Sequence, residues 1–442
     1  MKKRKLSIQK IFNLISAVFL ITCCIFYGSR FIKLYLENQE QVVVEANTLG
    51  KSLKENGNNF LKNINNEYYF NGEVDNNYVN YSGILWRVIK IGDNNVITLV
   101  SENSLTSLAF GEKKTYEESY INKWLNNNNS ENSGILEKNL NSMITYLKNI
   151  DLCIDKIDDL NNLACNNINN DYFIGLPSIN DYINTGASNG FMSTNENFYL
   201  ANTTNDNKTW YVNNEGKVNK SNGDDIFGVK ATIKLKENLE LISGTGTKDD
   251  PYVIESNLGL FGSYIKLDED MWRVIDVNEN NLKLMYDGYV MDGNDKISYK
   301  YSNYNTYYDD TKYNTLAYYM NKTFLSNLSY KDMIIESKYS NGYYGKENNF
   351  DYSNTLDTTI NTKVALVSVG DIVLNHELSN YFTLTSSSKN NNFIYTIQKD
   401  NIPYSKIISS TSSVVPVITI NKENFEGKGT YDEPFRLVDN NA

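Results

Sequence analysis

The sequence predicts an α+β fold: an N-terminal transmembrane helix and helical stalk, followed by two tandem, mainly antiparallel-sheet domains. Three observations predict it. A long uncharged run follows a basic N-terminus, the remainder of the chain states nearly the same pattern twice, and each statement is a series of short apolar runs separated by Asn, Gly and Asp.

The run comes first. Lys2-Lys3-Arg4-Lys5 and Lys10 precede an uncharged stretch from Ile11 to Ser29. As helix it spans roughly 28 Å, close to the ~30 Å hydrocarbon core of a bilayer. Basic residues outnumber those on its far side, which places residues 1–10 in the cytoplasm and the bulk of the chain outside. A cleaved signal peptide would have a shorter apolar run, ~7–15 residues, ending in a small-x-small site. Ile25-Phe26-Tyr27-Gly28 offers no such site, so an uncleaved anchor over 11–29 is the expectation. Cleavage and a lipid anchor at Cys23 are the alternatives. Residues 30–66 carry Leu34, Leu36, Val42, Val43, Leu49, Leu53 and Phe60 at loosely helical intervals, and read as a juxtamembrane stalk.

The duplication fixes the rest. Trp86-Arg87-Val88-Ile89 recurs as Trp272-Arg273-Val274-Ile275, and Lys236-Glu237-Asn238 recurs as Lys422-Glu423-Asn424, both at an offset of 186. Gly246-Thr247 with Pro251 recurs as Gly429-Thr430 with Pro434 at an offset of 183. One offset at both ends of a long unit marks a duplicated domain, over 67–256 and 257–442. Within each copy the element order repeats. Tyr78 to Tyr81, Ile84 to Ile91 and Val96 to Val100 are strands joined by Ser82-Gly83 and Gly92-Asp93-Asn94-Asn95 turns, and Tyr264 to Leu267, Met271 to Val277 and Leu282 to Met285 match them. A helix follows, Tyr120 to Asn126, matched by Thr315 to Asn321. Here the offset is 195, because the second copy gains about nine residues in its Tyr-rich stretch 297–313. Ser178 to Asp181 and Ser368 to Asp371 then read as capped helix starts. The last third of each copy is β again, with Asn213-Asn214-Glu215-Gly216 as a hairpin turn. Trp86, Trp272 and Trp124 are expected core anchors, and Gly246, Pro251, Gly429 and Pro434 expected closing turns.

These last strands carry a resemblance. Tyr199-Leu200, Trp210-Tyr211-Val212-Asn213, Gly216-Lys217-Val218 and Phe227-Gly228-Val229, with the W-R-V-I strand and W-L-N helix upstream, resemble an uncharacterised bacterial cell-surface domain family. Its pattern reads W-R-V-L, W-L-N, Y-V-N-x-x-G-x-V and G-V-R-P, and it is similar to C-type-lectin-like and formylglycine-generating-enzyme-like folds. The chain departs from it at Ala201 and at Lys230-Ala231, and the second copy keeps less of it. The resemblance implies a fold and a cell-surface location, and no activity.

Composition narrows function. A net charge of −11 argues against nucleic acid, whose phosphates need a basic face. Abundant Asn, Tyr, Lys and Ile, all with AT-rich codons, point to a bacterial genome of low GC content. The one histidine, His376, leaves little for Ser-His or His-based zinc chemistry. No cofactor motif and no C-x₂-C spacing is present. Asn222-Gly223-Asp224-Asp225 and Asp292-Gly293-Asn294-Asp295 lack the spacing of a calcium loop and read as turns. Cys153 and Cys165, on the exterior side, are a candidate disulfide, with a pair of free buried thiols as the alternative. Adjacent strand residues face opposite ways, so one of Trp210 and Tyr211 points out of the core; this pair is the candidate ligand contact. The tyrosines at 299, 301, 304, 307 and 308 are a second candidate. The expectation is therefore a membrane-anchored extracellular adhesion or binding protein, with a glycan or protein as partner. A structural part of a cell-envelope apparatus is the alternative, and a surface hydrolase using paired carboxylates is the weakest.

Overall fold

The computed structural model describes residues 47–438 apart from 58, 112–114, 127–133, 141–144, 255–258, 342–358 and 388–391. The expected cytoplasmic tail, transmembrane helix and most of the stalk lie outside the described residues. Among the described residues, no helix is long and apolar enough to cross a membrane.

From Thr48 onward the chain forms one compact unit, mostly antiparallel sheet with few helices. Its first helix, α1 (Leu49–Asn56), falls in the segment expected to be stalk. Thr48 caps it by accepting from Lys51 N, and Leu49 and Leu53 are fully buried. A Leu pair at i and i+4 fits a stalk or a core helix equally well; here the pair is core, and the first copy begins near Thr48 instead of Glu67.

The first copy is built on a nine-stranded sheet. Its strands include β1 (Leu61–Ile64), β2 (Glu67–Phe70), β3 (Tyr78–Tyr81), β4 (Ile84–Ile91) and β5 (Ile97–Ser101). Helices α2 (Tyr120–Leu125) and α3 (Ile135–Leu140) follow. Next come a short ribbon of β6 (Leu152–Cys153) and β7 (Ile168–Asn169), and helix α4 (Ile179–Asn184). A second sheet contains β8 (Phe198–Thr203), β9 (Thr209–Val212) and β10 (Val218–Ser221), and β11 (Thr232–Leu235) returns to pair with β5. The second copy repeats the plan with β12 (Tyr264–Leu267), β13 (Asp270–Val277) and β14 (Asn281–Tyr286). Its helix α5 runs from Leu316 to Asn327, with a π-helical stretch Tyr319–Phe324 inside it. It ends with β15 (Tyr381–Ser386), β16 (Phe393–Ile397), β17 (Pro403–Ile407) and β18 (Pro416–Asn421).

The copies match below the level of strand order. The β4–β5 register shifts between Val88 and Lys90, and the β13–β14 register shifts between Val274 and Asp276, so the same bulge sits at Ile89 and Ile275. Arg87 lies 3.9 Å from the Tyr78 ring centre and Arg273 lies 4.1 Å from that of Tyr264. Asn126 holds the backbone of Ile174, donating to its carbonyl and accepting from its N–H, and Asn321 holds Val364 in the same way. The closing loops also agree: Tyr78 N donates to Gly246 O and Tyr264 N to Gly429 O, each at 2.8 Å. Gly246 (φ 86°) and Gly429 (φ 71°) lie against the rings of Tyr252 and Phe435, where a Cβ has no room. Trp86 and Trp272 are fully buried, as expected of anchors.

Every described strand pair lies within one copy, yet the copies are joined by a dense junction. Trp124, fully buried, donates from Nε1 to Gly370 O at 2.8 Å. Lys138 Nζ lies 3.0 Å from Asp276, and Asn139 both donates to Asp276 and accepts from Val277 N. Val373 N donates to Leu105 O. Gly83 and Gly262 cross so closely that a Cβ on Gly83 would stand 2.6 Å from the Gly262 Cα.

One expected helix is missing. Ser368 and Asp371 keep the capping contacts of Ser178 and Asp181, with Asp371 Oδ2 accepting from Ser368 N at 2.8 Å. No helix follows Ser368, because Gly370 sits at φ 102°, outside helical space.

Candidate functional site

The bulge at Ile89 governs what β4 shows to solvent. A bulge re-aims the residues after it, and here Lys90 emerges from a mostly buried strand. Register then lays a row across the sheet: Lys62, Tyr69, Lys90, Thr98, Lys234 and Lys148 are successive cross-strand neighbours. Tyr69 and Lys90 of this row floor a cavity of about 850 Å³, and Thr98, Lys148 and Lys234 line a smaller one that shares Glu67, Lys90 and Asp151 with it. The β1–β2 hairpin walls one side, with Ile64, Asn65 and Glu67. The β6–β7 ribbon walls the other, with Cys153, Cys165, Ile168 and Asn170, and α4 closes the end with Asn180, Asp181 and Asn184. Cys153 and Cys165 are joined as a disulfide, S–S 2.13 Å, so the ribbon and its loop 154–164 are closed covalently.

The charges in the groove are paired. Lys90 Nζ stands 2.9 Å from Glu67 Oε2, 3.2 Å from the Tyr69 hydroxyl and 3.8 Å from Asp181 Oδ1. Burial alone would lower its pKa; Asp181, Tyr69 and Glu67 outweigh that and hold it above the usual lysine value. Tyr69 is pushed well above the ordinary phenol range, first by burial and then by the Asp181 charge. Asp151 pairs with Lys234, and Glu237 with Lys148 at 3.2 Å. Among the lining residues of the large cavity, Glu67, Asp151 and Asp181 face one ammonium, Lys90. The groove can therefore accept hydrogen bonds from hydroxyl or amine groups along its floor and apolar contact along the Ile64 and Ile168 walls. It repels polyanions.

The residues singled out from sequence lie elsewhere. Trp210 is only 5% exposed; its Nε1 donates to Ile157 O at 2.7 Å and Lys220 covers its ring. Tyr211 points to the other face, as alternation requires; Phe227 stacks on it at 4.4 Å and leaves it half-buried. Neither lines the groove. Trp210 supports it at one remove, since Ile157 belongs to the disulfide loop. Of the tyrosine stretch, Tyr301 and Tyr308 are buried anchors, and Tyr304 and Tyr307 are exposed. The groove residues Lys90, Glu67, Tyr69, Asn180 and Asp181 were not foreseen as a site.

A second polar cluster lies in the junction. Glu196 and Lys230 form an ion pair at 3.4 Å with side chains only 3% and 2% exposed. Glu196 also accepts from Ser104 N, Ser104 Oγ and Thr194 Oγ1. His376 approaches from the second copy, with Asn401 Nδ2 at 3.0 Å from its Nδ1. Burial pushes His376 down to about 4; Lys230, Arg273 and Lys248 push the same way and Glu196 opposes them. A half-buried histidine held neutral where the two copies meet reads as part of the joint.

Comparison with protein-family models, with curated proteins and with solved structures finds no match for this chain.

Proposed function

We propose that this chain is a membrane-anchored extracellular binding protein whose ligand, a glycan or a protein, sits in the groove of the first copy. The observation that carries the reading is the groove itself: a preformed cavity of about 850 Å³, walled by a hairpin and a disulfide-closed loop, on a face with paired donors and acceptors. The exterior location rests on the basic N-terminus, the uncharged run 11–29 and the presence of a disulfide, which persists in oxidising compartments. The same reading takes the copies as C-type-lectin-like, on the sequence pattern around Tyr199 to Val229. An envelope-apparatus role is favoured by one other feature, the exposed tyrosines of the second copy. For a hydrolase, Glu67 and Asp181 would be the carboxylate pair, but both contact the one ammonium of Lys90.

The test is an array of neutral, amino and anionic glycans and of surface proteins, probed with the full chain in detergent. Binding that weakens about tenfold or more on Ile168→Glu, a change at an exposed groove wall, supports the reading. Ligands whose affinity ignores that change, or a preference for polyanions, would overturn it.

A further inference from the structure

The junction shows how one copy of this fold receives another, and it uses the face that forms the groove. In the second copy, Asp276, Val277 and Asn278 receive Lys138 and Asn139, and Gly370 receives Trp124. By the offset of 186, the first-copy counterparts are Lys90, Ile91 and Gly92. By the matched Ser-x-x-Asp turns, the counterpart of Gly370 is Asn180. Lys90 and Asn180 line the large cavity, and Gly92 lines its extension beside Glu67 and Lys148. The receiving face that is filled within the chain on the second copy is thus open on the first at Lys90, Gly92 and Asn180, while the strand edge at Ile91 is covered by β2 of the same copy.

The donating face is also present twice. Trp124 corresponds to Tyr319. Where Trp124 is sealed, Tyr319 is half-exposed and stacks on Tyr299 at 4.8 Å. Next to it Tyr313, 66% exposed, packs edge-on against Tyr318 at 5.3 Å. This four-ring surface lies where the backbone widens into a π-helix, a feature that recurs at functional sites. The segment 291–322 that carries it has four Asp and four Lys, so it brings no net charge to the carboxylate-rich groove; Lys300 and Lys312 are exposed on it, as are Asp292 and Asp295.

We propose that the tyrosine surface of one chain docks into the first-copy groove of a second chain, so that the contact within each molecule is repeated head-to-tail between molecules. The occupant differs from the internal one in a defined way. The β1–β2 hairpin already pairs with the end of β4, where Asn139 caps the equivalent strand end of the second copy. No room is left there for a helix at the strand edge, and what enters the cavity is rings. Tyrosine suits this, giving large contact area and a hydroxyl that donates to Asp181 or Glu67 at low entropic cost. The contact is heterologous: it propagates from chain to chain and does not close on itself as a dimer.

The proposal rests on the groove being the binding site, and the experiment separates the two. The full chain is studied in detergent by sedimentation equilibrium over a concentration series, with Tyr313→Glu to disable the donor and Ile168→Glu to disable the acceptor. Both positions are exposed, and neither change disturbs the core. The wild type is expected to form a concentration-dependent series, each variant alone to associate about tenfold or more weakly, and their equimolar mixture to form a 1:1 dimer and nothing larger. That rescue is specific to a head-to-tail contact. A wild type monomeric at ~100 μM, association that survives either substitution, or a mixture that fails to dimerise would overturn the proposal. A monomeric chain that still binds an array ligand in an Ile168-dependent way would sink the self-docking and leave the groove reading standing.

Discussion

The two copies share a backbone and have parted in what they do with it. At the position of Trp124 and Tyr319, one copy buries a ring against its neighbour and the other leaves a ring in a solvent-facing stack. At the position of Lys90 and Asp276, the side chain re-aimed by an identical bulge lies on a groove floor in one copy and takes hold of α3 in the other. Arg87 and Arg273 make the same stack on tyrosine, but Arg87 finds a carboxylate, Glu102 at 3.2 Å, whereas Arg273 donates across the junction to Gly83 O. A duplicated sheet offers the same addresses twice, and function follows from which addresses the neighbouring copy covers.

The widest gap between the copies is expected at the paired aromatics. Trp124→Ala leaves a cavity in a fully buried junction and should cost about 3–5 kcal/mol. Tyr319→Ala removes a half-exposed ring and should cost less than about 1.5 kcal/mol, mostly the stacking on Tyr299. Urea unfolding of the two variants measures both; equal costs would break the comparison.

The junction histidine gives a smaller and pH-dependent effect. Its folded pKa, about 4, lies below the ordinary 6.5, so the fold favours the neutral form. Nothing is lost above pH 6.5. Stability falls as pH drops from 6.5 toward 4, by about 3 kcal/mol in all at about 1.4 kcal/mol per pH unit. His376→Gln cannot acquire that charge, so the difference between wild-type and variant melting curves should grow in the wild type's disfavour across this window. A difference independent of pH would show that the junction does not desolvate His376.

Much of this was legible in the sequence. The repeated Trp-Arg-Val-Ile strand and the Gly-Thr-Pro closing loop gave the duplication, the strand order and the buried tryptophans, because these are local patterns with fixed spacing. The cysteine pair was legible as a candidate because its two members were close in sequence and on one side of the run 11–29. Other features were not. Lys90 reads as one charge in an apolar strand, and only the bulge at Ile89 and the register with Tyr69 and Thr98 make it a groove floor. Trp124 and Gly370 are 246 residues apart, and no local pattern pairs them. The helix expected after Ser368 fails at one glycine of positive φ, although the capping pair survives. The ring expected to leave the core at Trp210-Tyr211 is Tyr211, but alternation alone counts two faces and does not say that Phe227 stacks on the second or that the groove lies elsewhere.

Native-state hydrogen exchange on the full chain tests the central claim, that the two copies are welded into one structure by their junction. The amides of Val373 and Val277 donate across it, to Leu105 O and Asn139 Oδ1. The account predicts that both exchange only with global unfolding, at the same free energy as amides in the middle of β5 and β14. Exchange of Val373 and Val277 at a much lower free energy, while both sheets stay protected, would show two separable beads and contradict it.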